Sequence, residues 1–337
     1  MKLKIIVVFL SLFLNIFGSN ASLAAKGSQS SVTELPQTAE VVKIGFYPIN
    51  IYGVDPSSST FSYDGYVWFR WSGGQNPTET LEFVNAVDKS SLTQSYLFET
   101  PQVSPDGSKY QIMRLEGTFF TPFSMTDFPL DRHSLTIKVE DSLRGFNELV
   151  YEIDTDDTGY NKALSVSGWK LVGWSHQQLV DDYGSHFGDQ NAKTQASRFA
   201  QMNFKIDIER PESYFIWKLL LPLVIVLCGA WIALLLNPAL IETRAALPAT
   251  ALLTTVFLQQ SYTGTLPETG SLVLLDKIYV VAYILIVATL ARIIMKSQNV
   301  ENMETISLER LRKTDRFVLI GQIFTFVVIA AVMVWQR

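Results

Sequence analysis

Four apolar stretches crowd the last third of this 337-residue chain, and they restrict its architecture more than any other feature. They run from Tyr214 to Leu236, Leu240 to Tyr262, Leu272 to Ile294 and Phe317 to Trp335. Each holds about 20 residues, enough for a helix to cross a hydrocarbon layer roughly 30 Å thick. They predict a four-helix transmembrane domain over residues 211–337. The second stretch breaks the pattern by carrying Thr250, Thr254, Thr255, Gln259, Gln260 and Ser261. Helices facing lipid avoid such groups, so they predict a face turned toward other helices or toward water, as in a pore-lining segment.

The chain begins with Lys2 and Lys4 ahead of an apolar run from Ile5 to Phe17, then small residues ending at Ala24 and Ala25. That order predicts a secretory signal over residues 1–25; the alternative, an uncleaved anchor, is disfavoured by the short apolar run. Export places residues 26–210 outside the cytoplasm. There the sequence alternates in short runs broken by turn residues, which predicts an all-β antiparallel sandwich. Tyr66-Val67-Trp68-Phe69-Arg70-Trp71 is one strand, ended by Gly73-Gly74. Ser104-Pro105-Asp106-Gly107 marks a hairpin, and Leu135, Ile137 and Val139 alternate with Thr136, Lys138 and Glu140. The sole cysteine, Cys228, falls in the first apolar stretch, so no intrachain disulfide forms.

The last strand before the membrane alternates most cleanly. Met202, Phe204, Ile206 and Ile208 take one face and Asn203, Lys205, Asp207 and Glu209 the other. By parity Arg210 joins the apolar face, where an unpaired cation costs roughly 3–5 kcal/mol, so it should meet a carboxylate. The alternative is that the strand ends early and Arg210 reaches lipid headgroups. Export of residues 26–210 makes the link between spans three and four cytoplasmic. That link and its edges hold Arg292, Lys296, Arg310, Arg312, Lys313 and Arg316, in accord with the positive-inside rule. The C-terminal Gln336-Arg337 then emerges on the outer side.

On a helical wheel at about 100° per residue, Glu242, Ala246, Thr250, Leu253, Phe257, Gln260 and Gly264 share an arc of roughly 80°. Arg244 lies about 200° from Glu242 and points away. One helix encloses no water, but several copies in a symmetric ring do, and each residue of the arc becomes a ring of identical side chains. A ring of Glu242 would concentrate cations at the cytoplasmic mouth, while rings of Leu253 and Phe257 would form a constriction that closes by dewetting. The alternative is a buried bundle helix whose threonines back-bond to carbonyls and whose glutamines pair across helices.

Taken together these residues resemble the pentameric ligand-gated ion channels (the Cys-loop receptor superfamily), in particular their prokaryotic branch. Phe128-Pro129-Leu130-Asp131 is similar to the loop at the foot of that family's extracellular sandwich. Arg244, Ala246, Leu247, Thr250, Leu253 and Thr254 follow its pore-helix pattern, Leu266-Pro267 its linker to the third span, and Arg210 and Pro222 the arginine before the first span and the proline within it. The resemblance implies a homopentamer, this chain with four further identical subunits, in a bacterial inner membrane, its N-terminal domain and C-terminus periplasmic. It implies agonist binding between adjacent sandwiches that opens a central pore lined by the second span, with a gate at Leu253 and Phe257. The coupling interface would be built from Asp55, Phe128, Pro129, Asp131, Arg210 and Pro267, with Asp131 the first candidate partner for Arg210 and Asp55 the second. The positions equivalent to the eukaryotic loop disulfide fall near Thr121 and Leu135, neither a cysteine, as in prokaryotic relatives. Glu242 resembles the acidic ring of cation-selective members and implies monovalent cations as the permeant ions; Arg244 pulls the other way.

The agonist is less legible. Aromatic loops of the family hold ammonium groups, which makes Trp68, Phe83, Phe146, Tyr183, His186 and Phe187 the candidates for a small agonist such as an amine, with a proton as the other possibility. For each aromatic the competing role is the sandwich core. Asp154, Asp156 and Asp157 share a loop that either binds a divalent cation or is a solvated turn. A net charge of −5 speaks against nucleic acid as a partner. His133, His176 and His186 are scattered, with no catalytic triad, metal-ligand spacing or phosphate loop, so neither an enzyme nor a cofactor is expected. The competing function is a non-conducting membrane sensor whose sandwich binds a periplasmic solute.

Overall fold

The structure is a computed structural model that describes residues 30–31, 36, 38–185, 198–264, 266–267, 270–297 and 305–336. The expected export signal over residues 1–25 lies outside them, as do His186 and Phe187. Eleven strands precede the helices among the described residues: β1 Ser30–Ser31, β2 Glu40–Asp55, β3 Thr60–Trp71, β4 Leu81–Phe83, β5 Thr93–Tyr96, β6 Gln102–Val103, β7 Lys109–Phe120, β8 Arg132–Asp141, β9 Leu149–Ile153, β10 Lys170–Asp182 and β11 Arg198–Glu209. They form two sheets, one ordered β1-β10-β11-β8-β4 and the other β5-β7-β3-β2-β9, with β6 beside β7.

Side chains at alternate positions of both sheets meet in one core, where Phe46 of β2 stacks on Phe204 of β11 with ring centres 4.7 Å apart. The expected hairpin stands between β6 and β7. Gly107 takes φ 81° there, a left-handed conformation that suits glycine, and Asp106 Oδ1 accepts from the Ser108 amide and hydroxyl. The sheets depart from the expected antiparallel pattern once, where β9 runs parallel to β2. The chain changes sheets between β8 and β9, so it joins β2 by a crossover rather than a hairpin, and a crossover permits the parallel direction. A second departure is on β11, where Gln201 and Asn203 are buried although parity turns them away from the core. Gln201 is held there by hydrogen bonds to Glu140 and Asp181.

Four helices follow among the described residues. The first, α1, spans Tyr214–Ile232, π-helical over Tyr214–Leu220 and α-helical over Leu221–Ile232 with Pro222 in its first turn. Next come α2 Ile241–Thr263, α3 Leu274–Ser297 and α4 Thr305–Trp335. Among the described residues three helices are long and apolar enough to cross a membrane, within α1, α3 and α4. The polar groups of α2 keep it below that standard. The apolar stretch located α4 from Phe317, but the helix begins at Thr305. Hydropathy marks where lipid begins, whereas Arg310, Arg312 and Lys313 are good helix formers that extend the same helix into water.

The two halves meet through the loop between β7 and β8. Met125, Phe128 and Leu130 from this loop pack into the helical core, and the amides of Leu274 and Leu275 donate to the carbonyls of Thr126 and Phe128. The Phe128 ring lies 6.0 Å from that of Tyr262, near the end of α2.

Candidate functional site

The second helix has two unlike faces. Arg244, Pro248, Ala251, Thr255 and Tyr262 are buried against the other helices. Glu242, Ala246, Thr250, Leu253, Phe257, Gln260 and Gly264 are exposed on the isolated chain, with Leu253 58% and Phe257 65% open. Exposed large apolar groups flanked by hydroxyls and amides are not a lipid face, and they leave a surface that needs a partner or water. The polar residues divide between the two roles. Thr255 back-bonds to the carbonyl of Ala251, and Gln259 bridges Asp276 and Tyr283 of α3. Thr250, Gln260 and Ser261 stay on the open side. Arg244 leaves the arc for the interior, where its Nε donates to the Ala233 carbonyl at 2.8 Å.

The end of β11 meets the β7–β8 loop in a buried ion pair. Arg210 Nε donates to Asp131 Oδ1 at 2.8 Å and a second guanidinium nitrogen to Oδ2 at 3.1 Å. The Arg210 amide also donates to the Asp131 carbonyl. His133 Nε2 lies 2.6 Å from Asp131 Oδ2. The rings of Trp169, Phe128 and Tyr214 surround the guanidinium at 4.3, 5.0 and 5.4 Å. Burial pushes the Asp131 carboxyl upward, but the hydrogen bonds from His133 and Arg210 outweigh it and hold the pKa below the carboxylate range. Parity therefore anticipated the fate of Arg210, and of the two named carboxylates it is Asp131 that pairs. Asp55 instead closes its own turn by accepting from Ser57 and Ser58. Phe128 and Pro129, joined by a cis bond, stand at the junction, and Pro267 is half-buried beyond the end of α2.

Among the described residues, each sheet of the sandwich carries a cavity on its outer face. A cavity of about 350 Å³ is lined by Glu82, Val84, Glu140, Asp141, Ser142, Tyr183 and Phe199. Glu140 is 3% exposed and accepts from the Tyr183 hydroxyl at 2.8 Å and from Gln201. Burial raises its pKa, the nearby Asp181 and Glu82 add to this, and the two hydrogen bonds oppose it without prevailing. The second cavity, about 360 Å³, is walled by Tyr47, Tyr66, Trp68, Arg70, Tyr110, Ile112 and Asp157.

The aromatic candidates fall into different places. Trp68 is mostly buried, its Nε1 donating to Asp154 at 2.9 Å while its ring lines the second cavity. Tyr183 is half-exposed over the first cavity, edge-on to Phe199. Phe83 belongs to the sandwich core, edge-on to Phe119, so no ligand reaches it from solvent. Phe146 is buried with Val150, Val180 and Ala200 beneath the Arg198 guanidinium. Glu82, Glu140 and Phe199 were missed. Alternation along β8 sets Glu140 opposite the core residues, and nothing in one strand's pattern reports that Tyr183 and Gln201 close over it.

No family model matches the chain. Among curated proteins it is 23% identical over 202 residues to a gamma-aminobutyric acid receptor beta subunit of Caenorhabditis elegans, a match covering 58% of this chain and 35% of that one. The human gamma-aminobutyric acid receptor alpha-2 subunit is 23% identical over 189 residues, covering 56% and 40%. A proton-gated ion channel of Gloeobacter violaceus is 19% identical over 227 residues, covering 61% and 60%. The matched stretch thus spans less than two thirds of each of these relatives. A sheet pair capped by a helical bundle, a polar-faced second helix, an arginine locked to the Phe-Pro-Leu-Asp loop and these relatives point the same way: the chain is similar to the pentameric ligand-gated ion channels.

Proposed function

We propose that five copies of this chain form a cation-selective, ligand-gated channel of the prokaryotic type, with α2 lining the pore and α1, α3 and α4 around it. Residues 26–210 form the periplasmic domain and residues 211–337 the domain in the inner membrane. The exposed arc from Glu242 to Gly264 carries this proposal, because among the described residues no other helix face combines open apolar bulk with several hydroxyls and amides. Glu242 sets the sign of the permeant ion, and Leu253 and Phe257 form the barrier. Cysteines placed at Thr250 and Gln260 test the assignment in a background with Cys228 replaced, since that thiol is exposed on the isolated chain. Water-soluble thiol reagents should modify both positions and block current in the activated protein. Inertness at both, in an assembled and stimulated preparation, would rule out the pore.

The agonist site joins the two cavities across the subunit boundary. A head-to-tail ring sets one face of each subunit against a different face of the next, and each sheet offers one open half-site. The half around Glu140 brings carboxylates and the Tyr183 and Phe199 rings; the other brings Tyr47, Tyr66, Trp68 and Tyr110. Carboxylates beside aromatic faces suit a small ammonium-bearing agonist. Since the pKa of Glu140 is raised, its charge is lost early on acidification. The potency of an amine agonist should fall as pH drops toward the range just above ordinary carboxylate values, and Glu140→Gln should remove that dependence while weakening the agonist about tenfold, the cost of roughly 1.4 kcal/mol. Dose–response curves at several pH values decide this; an unchanged pH dependence in the variant rejects it.

A further inference from the structure

Two charges enter the first turn of α2, Glu242 and Arg244, and the fold treats them oppositely. Glu242 is exposed on the arc, while Arg244 is 3% exposed. The Arg244 guanidinium donates to Asp315 Oδ2 at 2.6 Å, and its Nε takes the carbonyl of Ala233 at the C-terminal cap of α1. Asp315 stands in α4, 2% exposed, and its other oxygen accepts from Arg292 Nε of α3 at 2.8 Å. Arg292 in turn donates to Thr314. One carboxylate from the last helix thus holds two guanidiniums behind the start of the second.

We infer that Asp315 is a positioning residue for charge selectivity: it keeps Arg244 off the conduction path and cancels its field, so that Glu242 alone faces the permeating ion. The inference rests on the pore assigned above. With Glu242, Arg244, Arg292 and Asp315 all ionised, the four groups are neutral together. Replacing the carboxylate leaves one net positive charge per subunit within a few residues of the mouth. Five such charges beside the mouth, after screening by salt, should change the sodium-to-chloride preference by about tenfold.

Reversal potentials in asymmetric sodium chloride test this on the full-length protein. Asp315→Asn should lower the sodium-to-chloride permeability ratio about tenfold, and adding Arg244→Gln to it should restore the ratio. Arg244→Gln alone should raise it, which keeps the inference testable if Asp315→Asn fails to assemble. A conducting Asp315→Asn channel with the parental ratio, or an Arg244→Gln channel with an unchanged ratio, overturns the inference. Failure of the underlying pore has a separate signature: parental reversal potentials that track chloride, or no response of the ratio to Glu242→Gln.

Discussion

Arg210→Ala should yield protein that assembles poorly and, in the fraction that reaches the membrane, carries no agonist-evoked current. The guanidinium is the main counter-ion of the almost fully buried Asp131 and fills the space between Trp169, Phe128 and Tyr214. Truncation leaves that carboxylate with His133 as its remaining side-chain partner, and breaking such a buried pair costs roughly 3–5 kcal/mol. The position matters as much as the energy. Arg210 directly follows the last strand, four residues before α1, and Asp131 ends the loop whose Phe128 packs on α2 and whose carbonyls receive the start of α3. Adding Asp131→Ala to Arg210→Ala removes the orphaned charge, so the double variant should recover assembly without recovering gating. Surface labelling compared with current separates the two effects. Ordinary agonist currents from Arg210→Ala would remove this contact from the gating path. The depressed pKa of Asp131 fixes the acid behaviour. Its contribution to stability is present above the unfolded value of about 3.9 and is lost as pH falls through the lower folded value, so mild acid should leave the pair closed.

The parts of this molecule that sequence revealed are those where one local rule acts alone. Arg210 was legible because strand parity and the cost of a buried cation both depend on a short run of residues. The α2 arc was legible because helical geometry groups residues by angle, whatever surrounds them. Which polar groups of α2 turn inward was not, because Gln259 is drawn to Asp276 and Tyr283 by a neighbouring helix that the wheel does not contain. Glu140 failed for a related reason: alternation marks the outer face of a strand, and it takes Tyr183 and Gln201 from other segments to make that face an interior. Phe83 shows the converse. Aromatic character alone does not separate a ligand cage from a core, and its place against Phe119 depends on the pairing of distant strands. The pairing of Arg244 with Asp315 spans 71 positions and needed the packing of α1, α2 and α4 to come into view.

Leu253→Ala should produce current without agonist. Leu253 lies on the open arc, one turn before the still more exposed Phe257, so in a ring of five it presents apolar surface to the axis. A narrow apolar ring disfavours water, so in the pore proposed above wetting that ring is what the closed state would resist. Shortening the side chain widens the constriction and removes apolar surface that open pores must hydrate. The effect is multiplied by the five-fold ring. Even about 0.3 kcal/mol per subunit, well below the ~0.8 kcal/mol of one buried methylene, would shift the closed–open equilibrium roughly tenfold over five copies. Thr255 and Ala251 pack on the opposite side of the helix, so the fold should tolerate the change and surface levels should match the parent. Single-channel recording without agonist, alongside agonist dose–response, supplies the measurement. Spontaneous openings together with a left-shifted curve are expected. A normally assembled Leu253→Ala channel that stays silent at rest and keeps the parental potency would mean the barrier is not at this ring, and Phe257→Ala would then show whether it stands one turn higher.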